Sequence, residues 1–162
     1  MCRRLLAVAA VGLLIAAPRA VAADAKYVKL VNAGTGKVLS IENDSTDAEA
    51  RAVLAKDGDS ESQQWQLVKD GDHYKLVNRK SGKVLDVAQE STDEDAPIIQ
   101  WDDKAEGNDN QRWAWDGDGK SRRLKSKSSG LVLDADNDGK IVQKKANEKA
   151  KSQLWEVVEV KK

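Results

Sequence analysis

The side chains that could do chemistry in this chain of 162 residues are mainly carboxylates, amides and indoles. The sequence holds 27 Asp and Glu residues, five Trp, one Cys and one His. A single His and a single Cys exclude a zinc site built from several imidazoles and thiolates. A carboxylate accepts O–H donors in strong hydrogen bonds, and an indole face packs against apolar C–H groups. Together these two kinds of group supply what recognition of a sugar ring requires.

One unit of sequence occurs three times in the same order, at intervals of about 45 residues. Each copy contains a Gly-x-Val-Leu motif and closes with Gln-x-Trp. Chance similarity is excluded as the explanation, because both motifs recur in phase in all three copies. The motifs end at Leu39, Leu85 and Leu133, and at Trp65, Trp113 and Trp155.

The composition of each unit predicts strands and turns. Short runs rich in Val, Leu and Ile are broken by Gly, Asp, Asn and Ser, and no long stretch keeps a helical period. We expect four strands per unit and twelve in all, with hairpin turns at 35–36 and 80–82. None of the three units could bury its apolar face alone, so they should close around a shared axis. The three equivalent tryptophans are predicted to form the core, and the glutamines before them to satisfy backbone groups.

These motifs resemble those of the ricin-type lectin domain, over residues 26–160. The resemblance implies an all-β fold, a β-trefoil of three pseudo-symmetric four-strand repeats. The disulfide bonds that many members have are absent here, because the chain has one Cys. We therefore expect residues 24–162 to form one ricin-type β-trefoil domain held together by packing alone.

The same resemblance implies where a sugar would bind. It points to an Asp at the end of the Val-Leu-Asp strand, an aromatic residue on the third strand, and an Asn directly before the Gln-x-Trp motif. The middle unit has all of them: Asp86, Trp101 and Asn110. Trp101 has no aromatic counterpart in the other units, whereas a core position is expected to stay large and apolar in all three copies. We expect Asp86 and Asn110 to hold hydroxyls, Trp101 to stack, and Gln111 to steady Asp86 or touch a hydroxyl.

The outer units have lost some or all of these groups. The first unit carries serines in place of the Asp and the Asn, and an alanine in place of the aromatic residue. The third keeps Asp134 and Gln153, which makes it a possible weak second site without a stacking platform. The replacements are Ser40, Ala55 and Ser62 in the first unit, and Lys144 and Ser152 in the third.

The amino terminus has the pattern of a secretory signal. Two arginines precede the apolar run 5–17, and small residues follow up to a predicted cleavage after Ala22 or Ala23. The run is shorter than the roughly 20 residues that span a bilayer. We therefore expect residues 1–23 to be a signal peptide, the protein to be secreted or periplasmic, and no membrane span to remain after cleavage.

An acidic stretch at 134–139 begins like a calcium-binding loop, with Asp134, Asp136 and Asp138 in alternation. The twelfth position, where such a loop needs a bidentate acid, is Lys145. A hairpin turn at 137–139 is the prediction favoured here, and no metal site is expected.

Catalysis and cofactor binding are not indicated. Glycoside hydrolysis needs two carboxyl groups facing each other across a cleft, and the repeats isolate no such pair. The sequence has no Gly-x-Ser-x-Gly elbow, no phosphate-binding glycine loop and no dinucleotide fingerprint. We expect no catalytic residues and no cofactor.

The expected partner is a carbohydrate, and the resemblance implies a galactose-like sugar or a polymeric glycan. No pattern of basic and aromatic residues supports nucleic-acid binding. We expect a monomer. The alternative left open is a protein-interaction β-trefoil, such as a protease inhibitor or a surface scaffold, whose sugar-binding residues are relics.

Overall fold

A computed structural model describes residues 26–161, and the predicted signal peptide lies outside the described residues. Five 3₁₀ turns lie between the strands, at 42–44, 61–63, 88–90, 109–111 and 151–153. The twelve strands are β1 (Val28–Asn32), β2 (Val38–Ile41), β3 (Ala52–Ala55), β4 (Trp65–Asp70), β5 (His73–Asn78), β6 (Val84–Val87), β7 (Ile98–Trp101), β8 (Trp113–Asp116), β9 (Ser121–Ser126), β10 (Val132–Ala135), β11 (Ile141–Lys144) and β12 (Trp155–Glu159).

Six of the strands form a closed antiparallel ring. Within it, β4 pairs with β5, β8 with β9, and β12 with β1 over long ladders. Shorter contacts join these pairs to one another, through β1 with β4, β5 with β8 and β9 with β12. A closed ring has no free strand edge, so its backbone donors and acceptors are paired within the protein.

The other six strands form three hairpins that cover one end of the ring. They are β2 with β3, β6 with β7, and β10 with β11, each paired over four residues. Single bridges join each hairpin to the next: Arg51 with Ile99, Pro97 with Val142, and Lys140 with Val53. Each hairpin is therefore fixed against its neighbour as well as against the ring.

This arrangement is an all-β trefoil, with four strands from each sequence unit, and it confirms the predicted fold. The turns predicted at 35–36 and 80–82 join β1 to β2 and β5 to β6. Gly36 and Gly82 both have φ +70°, a left-handed conformation that residues with a Cβ rarely adopt. Within residues 26–161, no helix is both long enough and apolar enough to cross a bilayer.

The three equivalent tryptophans fill the centre of the molecule, as predicted. Trp65, Trp113 and Trp155 begin β4, β8 and β12 and are completely buried. Each indole Nε1–H donates to a leucine carbonyl of its own unit, at 3.1–3.2 Å. The acceptors belong to Leu39, Leu85 and Leu133, on the first strand of each hairpin. Each indole thus ties a ring strand to the hairpin above it.

We expect Trp113→Phe to lower the free energy of unfolding by about 1–3 kcal/mol, because the buried carbonyl of Leu85 loses its indole donor. Urea denaturation measures the change. Trp115→Phe is the matched control, since this indole lies on the same strand, is only partly buried and donates no hydrogen bond within the described residues. An equal loss in both variants would contradict the assigned role of the indole bond.

Candidate functional site

Asp86 lies on β6, directly after the buried Leu85. Side chains alternate along a strand, so the inward Leu85 sends Asp86 to the opposite face of the hairpin. Asp86 as a whole is nevertheless only 3% exposed, and two amides hydrogen-bond to its carboxyl group. Asn110 Nδ2 donates to Asp86 Oδ1 at 2.9 Å, and Gln111 Nε2 donates to Asp86 Oδ2 at 2.8 Å. The orientation of the carboxyl is therefore fixed before any ligand arrives.

The two amides are themselves held by the backbone. Gln111 Nε2 also donates to the carbonyl of Asp102, and Gln111 Oε1 accepts from the backbone N–H of Lys104. Asn110 Nδ2 also donates to the carbonyl of Val87. Both residues belong to the 3₁₀ turn at 109–111, which leads into buried Trp113. As predicted for the Gln-x-Trp glutamine, Gln111 satisfies backbone groups, and it steadies Asp86 at the same time.

Trp101 is the last residue of β7 and lies outside the hydrophobic core. In the β6–β7 ladder Asp86 stands opposite Ile99, and directly opposed residues point to the same face. Trp101 follows Ile99 by two residues and shares that face. Its ring is partly exposed and borders the same cavity, of about 570 Å³, as Asp86 and Asn110. The structure thus brings the predicted aromatic, carboxylate and amide residues together.

Charge in this cavity is mixed. Lys104 Nζ pairs with Glu90 Oε1 at 2.6 Å and reaches Asn110 Oδ1 at 3.3 Å. Burial raises the pKa of the Asp86 carboxyl above its ordinary value, although the Gln111 and Asn110 hydrogen bonds and the Lys104 charge oppose the change. The carboxyl is an acceptor in a poorly hydrated place, where a hydrogen bond to a ligand hydroxyl gains strength.

Sequence reasoning missed several residues on the cavity wall, and the charged ones include Glu49, Arg51 and Lys104. The first two come from the neighbouring unit, through the bridge between Arg51 and Ile99. This contact joins two units, so the sequence pattern within a single unit does not predict it. Lys104 lies in the loop after β7, and its closeness to Gln111 follows from the backbone bond that Gln111 accepts.

The third unit forms a related but less complete cavity. Asp134 is 6% exposed, and its Oδ2 accepts from Gln153 Nε2 at 2.9 Å, as Asp86 does from Gln111. Its Oδ1 is buried and receives no hydrogen bond from any residue in 26–161, because Ser152 stands where the middle unit has Asn110. Lys144 occupies the position of the indole and pairs with Asp95 at 2.8 Å. The cavity around these groups measures about 550 Å³.

In the first unit, the serines at the positions of the Asp and the Asn hydrogen-bond within a cluster of that unit's own side chains. Ser40 Oγ lies 3.1 Å from Ser62 Oγ, and Ser62 also donates to Asp44. Ser60 donates to the same Asp44 oxygen at 2.6 Å. Gln63 still accepts from the backbone N–H of Gly58 and donates to the carbonyl of Lys56, so the backbone role of the motif persists without a paired carboxylate.

The acidic stretch of the third unit forms the predicted turn. Asp136 Oδ1 accepts from the backbone N–H groups of Asp138 and Lys140, at 2.9 and 2.8 Å. The side chain is therefore used to close the hairpin between β10 and β11. Within the described residues, no group of three or more Asp, Glu, His or Cys side chains could hold a metal ion.

Comparison with known proteins identifies a family and several solved structures that share this fold. Residues 19–101 match the family model described as "Ricin-type beta-trefoil lectin domain-like". No curated protein sequence matches the chain.

Solved structures of related shape include a designed protein, an enzyme and a lectin. The designed three-fold symmetric protein ThreeFoil is 35% identical, with TM-score 0.77, over 83% of this chain and 99% of that one. An exo-β-1,3-galactanase from Clostridium thermocellum is also 35% identical, with TM-score 0.77, over 85% of this chain but only 31% of the enzyme. A Polyporus squamosus lectin bound to the epitope Neu5Acα2-6Galβ1-4GlcNAc shares the fold at 21% identity and TM-score 0.71, over 81% of this chain and 48% of the lectin.

The raised pKa of Asp86 predicts a pH-dependent contribution to stability. The folded state holds this proton more tightly than the unfolded chain does, so the contribution is complete below the ordinary aspartate pKa of 3.8 and is lost as pH rises through the raised value. The stability of the wild type relative to Asp86→Asn should therefore fall from pH 3 towards neutrality. Denaturant unfolding of both proteins across this range measures it, and a difference that grows with pH would contradict the assignment.

The buried Asp134 oxygen predicts a stabilising substitution. Ser152→Asn should supply the donor that Asn110 provides in the middle unit, and should raise the free energy of unfolding by about 0.5–1.5 kcal/mol. The reverse change, Asn110→Ser, should destabilise the protein by leaving Asp86 Oδ1 without its donor. Urea denaturation of the two variants checks both signs, and two changes of the same sign would show that the units are not equivalent.

Proposed function

The chain belongs to the family of ricin-type β-trefoil lectin domains, and from this premise we propose that it is a secreted, non-catalytic lectin whose main sugar site lies in the middle repeat. Family membership supports carbohydrate binding as a class of function. The single observation that carries the finer proposal is the cavity where the buried Asp86 carboxyl faces the partly exposed indole of Trp101. Neither outer repeat joins a buried carboxylate to an aromatic ring.

In this proposal each residue has a separate task. Trp101 stacks on the apolar C–H face of a pyranose ring. Asp86 and Asn110 bind neighbouring hydroxyls, with Asp86 as acceptor and Asn110 offering its Oδ1. Gln111 holds the carboxyl in place by its 2.8 Å bond and is a positioning residue. Because these groups are already ordered by one another, little conformational entropy is lost when the sugar binds.

The sugar class that we propose is galactose-like. The galactanase from Clostridium thermocellum acts on a galactose polymer, and a stretch amounting to 31% of that enzyme is 35% identical to this chain. The proposal concerns the class of sugar alone and not the enzyme's activity, because the alignment covers only 31% of the galactanase.

The third repeat is proposed as a weak second site. Asp134 borders the cavity of the third repeat, and Gln153 positions its carboxyl as Gln111 does in the middle repeat. Lys144 cannot replace the stacking surface, so polar contacts alone would hold the sugar there. The first repeat has no proposed site, because its serines and Asp44 bind one another.

A shallow site of this kind binds one sugar with a dissociation constant on the order of 0.1–1 mM, or about −4 to −5.5 kcal/mol. Polyvalent glycans would raise the apparent affinity by engaging two repeats or several molecules. We propose that the protein itself is a monomer. In support, the only large hydrophobic side chain that is exposed in the described part of the chain is Val158.

Trp101→Ala is expected to weaken retention on immobilised galactose-containing glycans at least about tenfold, because the stacking surface is lost. Asp86→Asn should do the same by removing the hydroxyl acceptor. Lys144→Ala is the matched control, since Lys144 occupies the position of the indole in the third repeat, and it should leave retention at the middle site intact. A glycan array measures all three variants, with thermal unfolding to verify that each is folded.

Two outcomes would contradict the proposal. Folded Trp101→Ala and Asp86→Asn variants that bind as the wild type does would remove the middle repeat as the site. A wild-type protein that binds no glycan on a broad array would favour the protein-interaction alternative, and turnover of a polysaccharide panel would contradict the non-catalytic assignment.

A further inference from the structure

Arg51 is a cationic side chain on the wall of the middle cavity, and its side chain has no partner among residues 26–161. It precedes β3 in the first repeat and is partly buried. Its Nε atom is buried and has no hydrogen-bond partner in residues 26–161, and its guanidinium forms no ion pair with a carboxylate of those residues. Of its three nitrogens only Nε is both buried and unpaired, so the two terminal nitrogens remain available to an acceptor that enters the cavity.

The position of Arg51 is fixed by strand pairing across two repeats. Arg51 stands opposite Ile99, and Ile99 stands opposite Asp86. Directly opposed residues on adjacent strands point to the same face, so Arg51 shares a face with Asp86 and with Trp101. Two strand spacings, about 10 Å, separate the backbones of Arg51 and Asp86. The guanidinium and the carboxyl therefore face one cavity from opposite sides.

The other charges of the cavity do not supply the missing partner. Lys104, the second cation of the wall, is already paired with Glu90 at 2.6 Å. Glu49 also borders the cavity and lies two residues before Arg51, yet the two side chains form no ion pair. Asp86 has both oxygens bonded to Asn110 and Gln111. Arg51 is thus the one cation of this wall that can bind an anion without breaking an existing pair.

We propose that Arg51 binds an anionic substituent, a carboxylate or a sulfate, on the sugar held by Asp86 and Trp101. This inference rests on the proposed lectin function and names its ligand class, an acidic glycan. The planar guanidinium matches two oxygens of either group in a bidentate arrangement. The ring of the sugar would stack on Trp101 and its hydroxyls would bind Asp86, while its acidic group would extend towards the first repeat.

The other two bridges show that this cation is particular to the middle cavity. Pro97 stands opposite Val142 at the equivalent position beside the third repeat, and Lys140 stands opposite Val53 beside the first. Pro97 has no charge, and Lys140 lies next to the repeat that has lost its carboxylate and aromatic residue. Lys140 therefore provides a matched control, being a cation at an equivalent bridge without a proposed sugar site.

The test uses the purified full chain and an array of matched neutral and acidic sugars. The pairs are galactose with galacturonate, galactose with galactose 6-sulfate, and glucose with glucuronate. We expect the wild type to retain at least one acidic member about tenfold more strongly than its neutral partner, as a charged hydrogen-bonding pair would give. Arg51→Gln should reduce this ratio to about one, Arg51→Lys should restore part of it, and Lys140→Gln should keep the wild-type ratio.

The array pairs distinguish the two anions, and added salt should reduce the acidic preference. Equal retention of neutral and acidic sugars by the wild type would overturn the inference about Arg51 and leave the lectin function standing. A preference that survives in folded Arg51→Gln would also overturn it, by showing that another group binds the anion. Failure of the wild type to retain any sugar, neutral or acidic, would overturn the proposed function and this inference with it. Thermal unfolding verifies the folded state of each variant, and Arg51→Lys keeps the test open if Arg51→Gln does not fold.

Discussion

The hydrogen bond from a buried indole to a leucine carbonyl is the constraint on which this molecule is built. It occurs once in each repeat, at nearly the same length, and joins the ring of six strands to the hairpins that cover it. It fixes the first hairpin strand with its leucine inward, which directs the next residue away from the core. That next residue is Ser40, Asp86 or Asp134. Packing of the core therefore fixes the position of this polar side chain but does not require a particular residue type there.

The three repeats show how far that freedom extends. One backbone arrangement holds a serine cluster in the first repeat, a carboxyl with two amide donors in the second, and a carboxyl with one donor in the third. The glutamine of each repeat bonds to backbone groups of the loop after the third strand. This shared bond stabilises the fold in all three repeats. In the second and third repeats the glutamine also donates to Asp86 or Asp134. Local side-chain changes can thus remove a site while the trefoil stays intact.

The sequence allowed the fold to be predicted because its constraints recur. Motifs that repeat in phase predict equivalent tryptophans, and alternation along the strands predicts their burial. The grouping of Asp86, Trp101 and Asn110 could be predicted as well, from the resemblance of the middle repeat to ricin-type lectin domains. Contacts between repeats could not. Arg51 reaches the middle cavity through a single bridge to Ile99, and no periodicity marks which residues will meet there. The mutual bonding of Asn110, Gln111 and Asp86 depends on rotamers that spacing alone does not specify.

The bridges between hairpins also bear on how the three copies differ. Because each bridge joins a hairpin to the next, the middle cavity is bordered by residues of two repeats. One repeat therefore supplies only part of the cavity wall, and its neighbour supplies the rest. A substitution at position 51 therefore changes the wall of the middle cavity, although the residue belongs to the first repeat. The bridges thus link the copies around the axis, while other positions, such as Ser40 and Ser62, differ within a single copy.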